Sequence, residues 1–207
     1  MRTEPSRARA PTRPARRRLL GLSAAGVGAM ALGALGGAGP GAVRAQPARG
    51  IAGQPAPELE VERWQDADGE PTEFSIAAER GRWVFLKCFQ YWCPGCHESG
   101  FPTLQAMQEA FGEHPKVALA AIQTVFEGFS TNGASRIAEI RERYALTMPI
   151  GHDAGDPDGD PRPSTMRLYR TGGTPWLILI DPDGLVVYDG FHVDRAALVD
   201  YVAEQIA

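Results

Sequence analysis

Several things are scarce in this chain. Cysteine occurs three times in 207 residues, at Cys88, Cys93 and Cys96, and the odd count excludes a fully paired disulfide framework. Basic residues are scarce beyond residue 45. Residues 1–45 hold eight arginines and one acid, Glu4, so 13 basic residues face 24 acidic ones over 46–207, a net charge of −11. A nucleic-acid surface needs clustered Lys and Arg to replace counterions, and that class of partner is excluded. No long unbroken apolar run is present either. The stretch Leu19–Leu35 is interrupted by glycines and followed by Pro40, which makes a poor membrane helix, so no stable span is expected in the mature form. Internal repeats are also absent. What remains is an ordinary globular composition, 43% hydrophobic and 22% charged, with room for one domain and a leader.

The leader accounts for the charge asymmetry. An Arg-rich start precedes the weakly apolar run, and Val43-Arg44-Ala45 fits an A-x-A-like cleavage site. Arg16-Arg17-Arg18-Leu19-Leu20 resembles a twin-arginine export signal. Residues 1–45 are therefore expected to be a cleaved twin-arginine-like signal placing the protein in the periplasm or otherwise outside the cytoplasm. An ordinary secretory signal and an uncleaved weak anchor are the competing readings. Residues 46–57, rich in Pro and Gly, are expected as a linker, either extended against the domain or disordered. Residues 58–207 form the expected domain.

Within it, Leu59–Trp64 alternates apolar and polar residues and predicts an edge strand. Phe74–Ala78 predicts a short helical turn. Trp83–Phe89 is nearly continuously apolar, as a strand covered on both faces should be. A helix is expected from the Cys pair to about Phe111, with Pro94 suited to its first turn. Val117–Ile122 predicts a second buried strand, 133–145 a helix, Met148–Ile150 a short strand, and Asp153–Pro163 a loop. Ser164–Tyr169 reads as a short helix, Trp176–Ile180 as a third buried strand, Asp181–Gly184 as a turn and Leu185–Tyr188 as its returning strand. Asp194 caps a last helix with Ala197, Leu198, Tyr201 and Val202 facing inward. Alternating strands and helices ending in a hairpin imply an α/β fold, a mixed sheet with helices on both faces.

Cys93-Pro94-Gly95-Cys96 stands between the strongest strand and a helix start. A helix N-terminus offers unpaired N–H groups and partial positive charge, so a thiolate there ionises below the ~8.5 of a free cysteine. Cys93 is expected to be the exposed nucleophile, and Cys96, a turn further in, the resolving thiol that closes the disulfide. A permanent loop disulfide and half a zinc site are the bland alternatives. Cys88, inside the strand, reads as apolar filler.

These residues resemble the thioredoxin superfamily, and within it the exported TlpA/ResA-like thiol–disulfide oxidoreductases. The resemblance rests on Val84-Phe85-Leu86 leading to Trp92-Cys93-Pro94-Gly95-Cys96, on Gly173-Thr174-Pro175 and on Ile180-Asp181-Pro182-Asp183-Gly184, and spans about residues 55–207. It implies a thioredoxin-like fold with an extra strand–helix insert, near 117–150. It also implies a cis peptide bond at Pro175 facing the Cys pair, with the Thr174 backbone pairing with an extended substrate. The redox-active disulfide would be the only redox group, with no cofactor and no metal. Partners would be protein thiols or disulfides and a membrane or periplasmic electron donor, and a reductase direction is implied.

Three departures matter. The helix-kinking proline usual five residues after the second cysteine is Pro102, six after Cys96, which predicts an irregular turn after Gly100. Glu98 sits one place early for the family's glutamate, and no role is carried over to it. Lys87 stands six residues before Cys93, where several relatives have a carboxylate or amide. It either points at the sulfurs, favouring a Cys96 thiolate, or snorkels to solvent. Trp92 either packs beside the pair and shapes the substrate surface or fills core. His97 either adds charge near the pair or is a solvated helix residue. Asp153, Asp156, Asp158 and Asp160 read as a solvated acidic loop lacking EF-hand spacing, and Phe126, Gly128 and Phe129 as a loop near the active-site end. Three rival functions stand. Cys93-Pro94-Gly95-Cys96-His97 matches the c-type haem motif literally. A peroxiredoxin-like peroxide reductase would share the fold, although Gln90 stands where that family carries Thr. A copper module would use Cys93, Cys96 and a distant histidine.

Overall fold

The computed structural model describes residues 49–207; the expected leader lies outside the described residues. In chain order the elements are β1 (Arg63–Gln65), β2 (Pro71–Thr72), β3 (Trp83–Phe89), a π-helical turn (Cys96–Gly100), α1 (Phe101–Phe111), β4 (Val117–Val125), α2 (Arg136–Tyr144), β5 (Ile150–Ala154), α3 (Ser164–Leu168), β6 (Trp176–Ile180), β7 (Val186–Gly190) and α4 (Arg195–Ile206). The strands form one seven-stranded mixed sheet in the order β2-β1-β5-β4-β3-β6-β7. β4 lies at its centre, and β3 stands next to it inside the sheet, parallel to β4 and antiparallel to β6. The strand–helix unit anticipated within 117–150 is β4 followed by α2, and β5 then adds in parallel beyond β4.

Every residue of β3, β4 and β6 is buried, as uninterrupted apolar runs require. Side chains alternate across the sheet. Trp83, Phe85 and Phe89 pack with Phe101, Leu104 and Met107 of α1, Ile137 and Ile140 of α2, and Leu198 and Val202 of α4. Val84, Leu86 and Cys88 face the other way, onto Ile51, Leu59, Trp64 and Tyr169. α3 and the segment before β1 cover that second face. Residues 50–56 run along β7: the Gly53 amide donates to the Val186 carbonyl, the Val186 amide to that of Gln54, and the Ala56 amide to that of Gly184.

Several expected boundaries move. The first strand is only Arg63–Gln65. Leu59 is buried as its alternation demanded, but the backbone beside it goes elsewhere: the Glu58 carboxylate accepts from the Leu59, Ile76 and Ala77 amides. That carboxylate also fixes 76–77, where the chain makes a turn without a helix. Ile150 opens β5 and does not end a strand, because 150–154 pair in register with Ala121–Val125. Asp153 therefore leaves the loop. It is 6% exposed, and its carboxylate accepts from the Ser164 and Thr165 amides and the Ser164 hydroxyl, anchoring the start of α3. Leu185 belongs to the hairpin turn, exchanging hydrogen bonds with Asp181, so β7 starts at Val186. Asp194 caps α4 by accepting from the Ala197 amide, a contact worth about 1 kcal/mol. Ala197 and Tyr201 of α4 are exposed, although the Tyr201 ring still meets Trp83 edge-on.

Candidate active site

β3 ends at Phe89 and releases the chain into the Cys pair. The Cys93 amide donates to the Gln90 carbonyl, and the Cys96 and His97 amides fold back to the Cys93 carbonyl, starting the helix. This turn brings the Cys96 amide to within 3.2 Å of Cys93 Sγ. The helix-terminus donor is thus delivered directly to the sulfur. All three cysteines are free thiols.

The two sulfurs are made unequal. Cys93 is drawn down to about 6, chiefly by the Cys96 thiol donating to it, against the opposing pull of burial. The Thr174 hydroxyl, the Cys96 amide and the charge of Lys87 add to the lowering. Cys96 is pushed strongly upward by burial first and by its role as donor to Cys93 second. Cys88 is pushed up to about 12 by burial, which keeps it a protonated, apolar side chain. Cys93 is nevertheless only 5% exposed, so the expected exposed thiol is a shallowly covered one. The Thr174–Pro175 bond is cis. Pro175 sits against the pair's helix: a Cβ built on Gly95 would lie 3.2 Å from Pro175 Cδ, and one on Gly100 would lie 2.9 Å from Pro175 Cβ.

The irregular turn exists, one step earlier than expected. Cys96–Gly100 is a π turn, and the Phe101 amide reaches back five residues to the Cys96 carbonyl. One extra residue in the turn absorbs the displacement of Pro102. The hydroxyls of Ser99 and Thr103 donate to the Gly95 and Ser99 carbonyls.

Lys87 does not reach solvent. It lies on the same face of β3 as Phe85 and Phe89, is fully buried, and puts Nζ 3.8 Å from the centroid of the Phe101 ring. Trp92 is the exposed residue of the motif, at 45%, and its indole nitrogen borders Gly128 in the 126–132 loop. That loop is tied to the site by Asn132, whose side chain accepts from the Tyr91 amide and donates to Gln90 Oε1. Gln90 is thus turned toward Asn132. Asn132 carries no sequence signal that would have singled it out. His97 is half-buried and is turned away from the sulfurs. Its Nδ1 meets the Tyr144 hydroxyl and its Nε2 the Tyr91 carbonyl, both at 2.6 Å. The carbonyl can only accept, so Nε2 carries a proton.

A haem would need thioethers on both sulfurs and a free His97 nitrogen. Cys96 is wholly buried and both His97 nitrogens are engaged, so these residues do not fit that group. Among the described residues no three His, Cys, Asp or Glu side chains gather in a metal-holding group. The aspartates of 156–160 instead fold their own loop, with Asp156 accepting from the Asp158 amide and Asp160 paired with Arg162.

Comparison with known proteins agrees with this geometry. The AhpC/TSA family model matches residues 52–189. The chain is 32% identical to a crystallised thioredoxin-like superfamily protein (TM-score 0.64), over 72% of this chain and 94% of that one. It is 28% identical to a thiol-disulfide isomerase from Corynebacterium glutamicum (TM-score 0.61, 72% and 95% covered). With StoA from Bacillus subtilis it shares the fold, at 22% identity and TM-score 0.50 over 71% and 98%. No curated protein matches the sequence. The chain belongs to the AhpC/TSA family and is, by type, a thioredoxin-like thiol–disulfide oxidoreductase.

Proposed function

We propose that this protein reduces protein disulfides outside the cytoplasm through Cys93 and Cys96. One observation carries the reading: the Cys96 amide reaches Cys93 Sγ at 3.2 Å while the Cys96 side chain is wholly buried, an arrangement that draws Cys93 down and pushes Cys96 up. The Cys93 thiolate attacks a substrate disulfide, forming a mixed disulfide and releasing one substrate thiolate. Cys96 then loses its proton and attacks Cys93 Sγ. The second substrate sulfur leaves, and the Cys93–Cys96 disulfide remains for a dithiol donor, in the membrane or the periplasm, to reduce. The Thr174 backbone pairs with the extended substrate segment, and the exposed Trp92 borders it. The Arg-rich leader supports action after export.

Trapping tests the pair. Cys96→Ser should accumulate mixed disulfides with periplasmic proteins and Cys93→Ser none; equal yields would remove the assigned order. The reduction potential of the pair against glutathione tests direction, and a value near that of strong oxidants would reverse it. Replacing Arg16 and Arg17 by Lys should leave the protein in the cytoplasmic fraction if the twin-arginine route is used.

The AhpC/TSA match favours a second reading, peroxide reduction at Cys93. A peroxide-consumption assay separates the two. Turnover of hydrogen peroxide faster than that of a protein disulfide would replace the proposal.

A further inference from the structure

Lys87 is fully buried, and its Nζ has no hydrogen-bond partner among the described residues. Its surroundings are built to take it. The Phe101 and Phe89 ring centroids lie 3.8 and 5.2 Å from Nζ. A Cβ on Gly100 would come to 2.9 Å from Lys87 Cε and 3.0 Å from Nζ, so the π turn presents the one residue type that leaves this space open. On the neighbouring strands Lys87 is flanked by Ala121 and Leu177. Among the described residues, the titratable groups that act on it are Cys96, Cys93 and Cys88, with no carboxylate among them. Two ring faces return part of the hydration a buried cation loses, but not all of it. An ammonium here needs a negative sulfur beside it.

We propose that Lys87 is a redox-linked proton carrier: it takes up a proton when the Cys93–Cys96 disulfide is reduced and gives it up when the disulfide forms. This rests on the thiol–disulfide reading above. The half-reaction balances. A neutral disulfide and a neutral Lys87 amine accept two electrons from a dithiol donor and two protons. They become a Cys93 thiolate, a Cys96 thiol and a Lys87 ammonium. The site is electrically neutral in both states, which is the arrangement a dry interior favours. Burial holds the Lys87 amine below the ordinary lysine range, and negative sulfurs push it back up, the same direction as the proposed cycle. When Cys93 bonds to the substrate its negative charge is lost and the Lys87 ammonium releases its proton. The freed amine then accepts the Cys96 proton as Cys96 attacks Cys93 Sγ, and releases it in turn once the disulfide has closed, so two protons leave in all. Lys87 is a positioning and proton-holding residue; it does not touch the substrate.

The test is the reduction potential of the purified full-length chain between pH 7 and 8.5, above the Cys93 value of about 6. Two protons per two electrons shift the equilibrium constant about a hundredfold per pH unit, ~59 mV; one proton shifts it about tenfold, ~30 mV. Wild type should show the steeper slope and Lys87→Met the shallower one, each read above its own Cys93 alkylation midpoint, which loss of the Lys87 charge raises in the variant. A one-proton slope in wild type overturns the proposal, as does an unchanged slope in Lys87→Met. If Lys87→Met does not fold, wild type still decides. The chain has two lysines, Lys87 and Lys116, so Lys116→Arg leaves a single lysine side-chain NMR signal. That signal must shift between the oxidised and reduced protein at pH 7.5, and an unmoved signal overturns the proposal. A chain with no reversible Cys93–Cys96 couple would instead fail the functional reading itself, whereas a reversible couple with a one-proton slope fails Lys87 alone.

Discussion

At the scale of single residues, the site works by donating hydrogen bonds to one sulfur and denying solvent to the other. Thr174 is the clearest lever, because its hydroxyl lowers Cys93 without filling the core. Hydrogen bonds to a charged group contribute about 1.5–3 kcal/mol, and one pKa unit is about 1.4 kcal/mol. Thr174→Val should therefore raise the midpoint of Cys93 alkylation by iodoacetamide by about one pH unit, read as rate against pH. An unmoved midpoint would mean the hydroxyl points elsewhere. The same lowering has a consequence for stability. Between pH 6 and the ordinary thiol range the unfolded chain holds a proton on Cys93 that the folded chain has released. Reduced wild type should therefore gain stability over Cys93→Ser as pH rises through that window. Urea titrations at pH 5.5 and 8.5 measure it, and a gap that narrows with pH would contradict the assignment. Cys93, Cys96, Thr174 and Pro175 are legible in the sequence because each belongs to a motif with a chemical reason. Asn132 and the roles of Tyr91 and Tyr144 are not, since their contacts join segments far apart along the chain. His97 shows the limit from the other side. Its position suggested a charge beside the sulfurs, and only the folded position of α2 reveals that Tyr144 claims it.

At the scale of elements, the π turn links sequence spacing to chemistry. The sixth-position proline signalled an irregularity, but spacing alone could not say which residue the extra turn would bring inward. The structure makes it Gly100, packed between Lys87 and Pro175. Gly100→Ala would force a methyl group against both, and overpacking of this kind costs about 1–3 kcal/mol. We expect that loss in thermal or urea unfolding, together with a higher Cys93 pKa if Lys87 is displaced. Gly133→Ala is the control, because the nearest atom to its Cβ would be Ser135 Oγ at 3.8 Å. Its stability should stay within about 0.5 kcal/mol of wild type. The buried strands were readable from apolar runs alone. The strands at the margin were not, because β1 and β5 are defined by whom they pair with, and local alternation cannot express a partner.

At the scale of the whole molecule, the sheet has two edges to protect. β2 ends one edge and is only two residues long, too short to template another chain. β7 ends the other, and residues 50–56 occupy it, with the Gly53 and Val186 amides donating across the junction and the Ile51 amide donating to the Asp189 carboxylate. Ile51 and Ala56 are buried in the second core, so this segment serves as packing as well as edge cover. Burying one large aliphatic side chain is worth about 1.5–3 kcal/mol, and each net hydrogen bond about 1 kcal/mol. A chain beginning at Pro57 should accordingly lose about 5 kcal/mol, which for a domain of this size lowers the melting temperature by roughly 15 °C. It should also dimerise through the bared β7 edge, seen by light scattering after size exclusion. Asp189→Ala removes one anchor and should cost about 1 kcal/mol without dimerisation. The Cys pair follows β3, which is separated from the β7 edge by β6, so the truncated protein should keep the Cys93 alkylation midpoint of the intact one. A midpoint displaced together with the melting temperature would show that the edge segment and the Cys pair are coupled through the sheet, and that its cover is part of the active site's support.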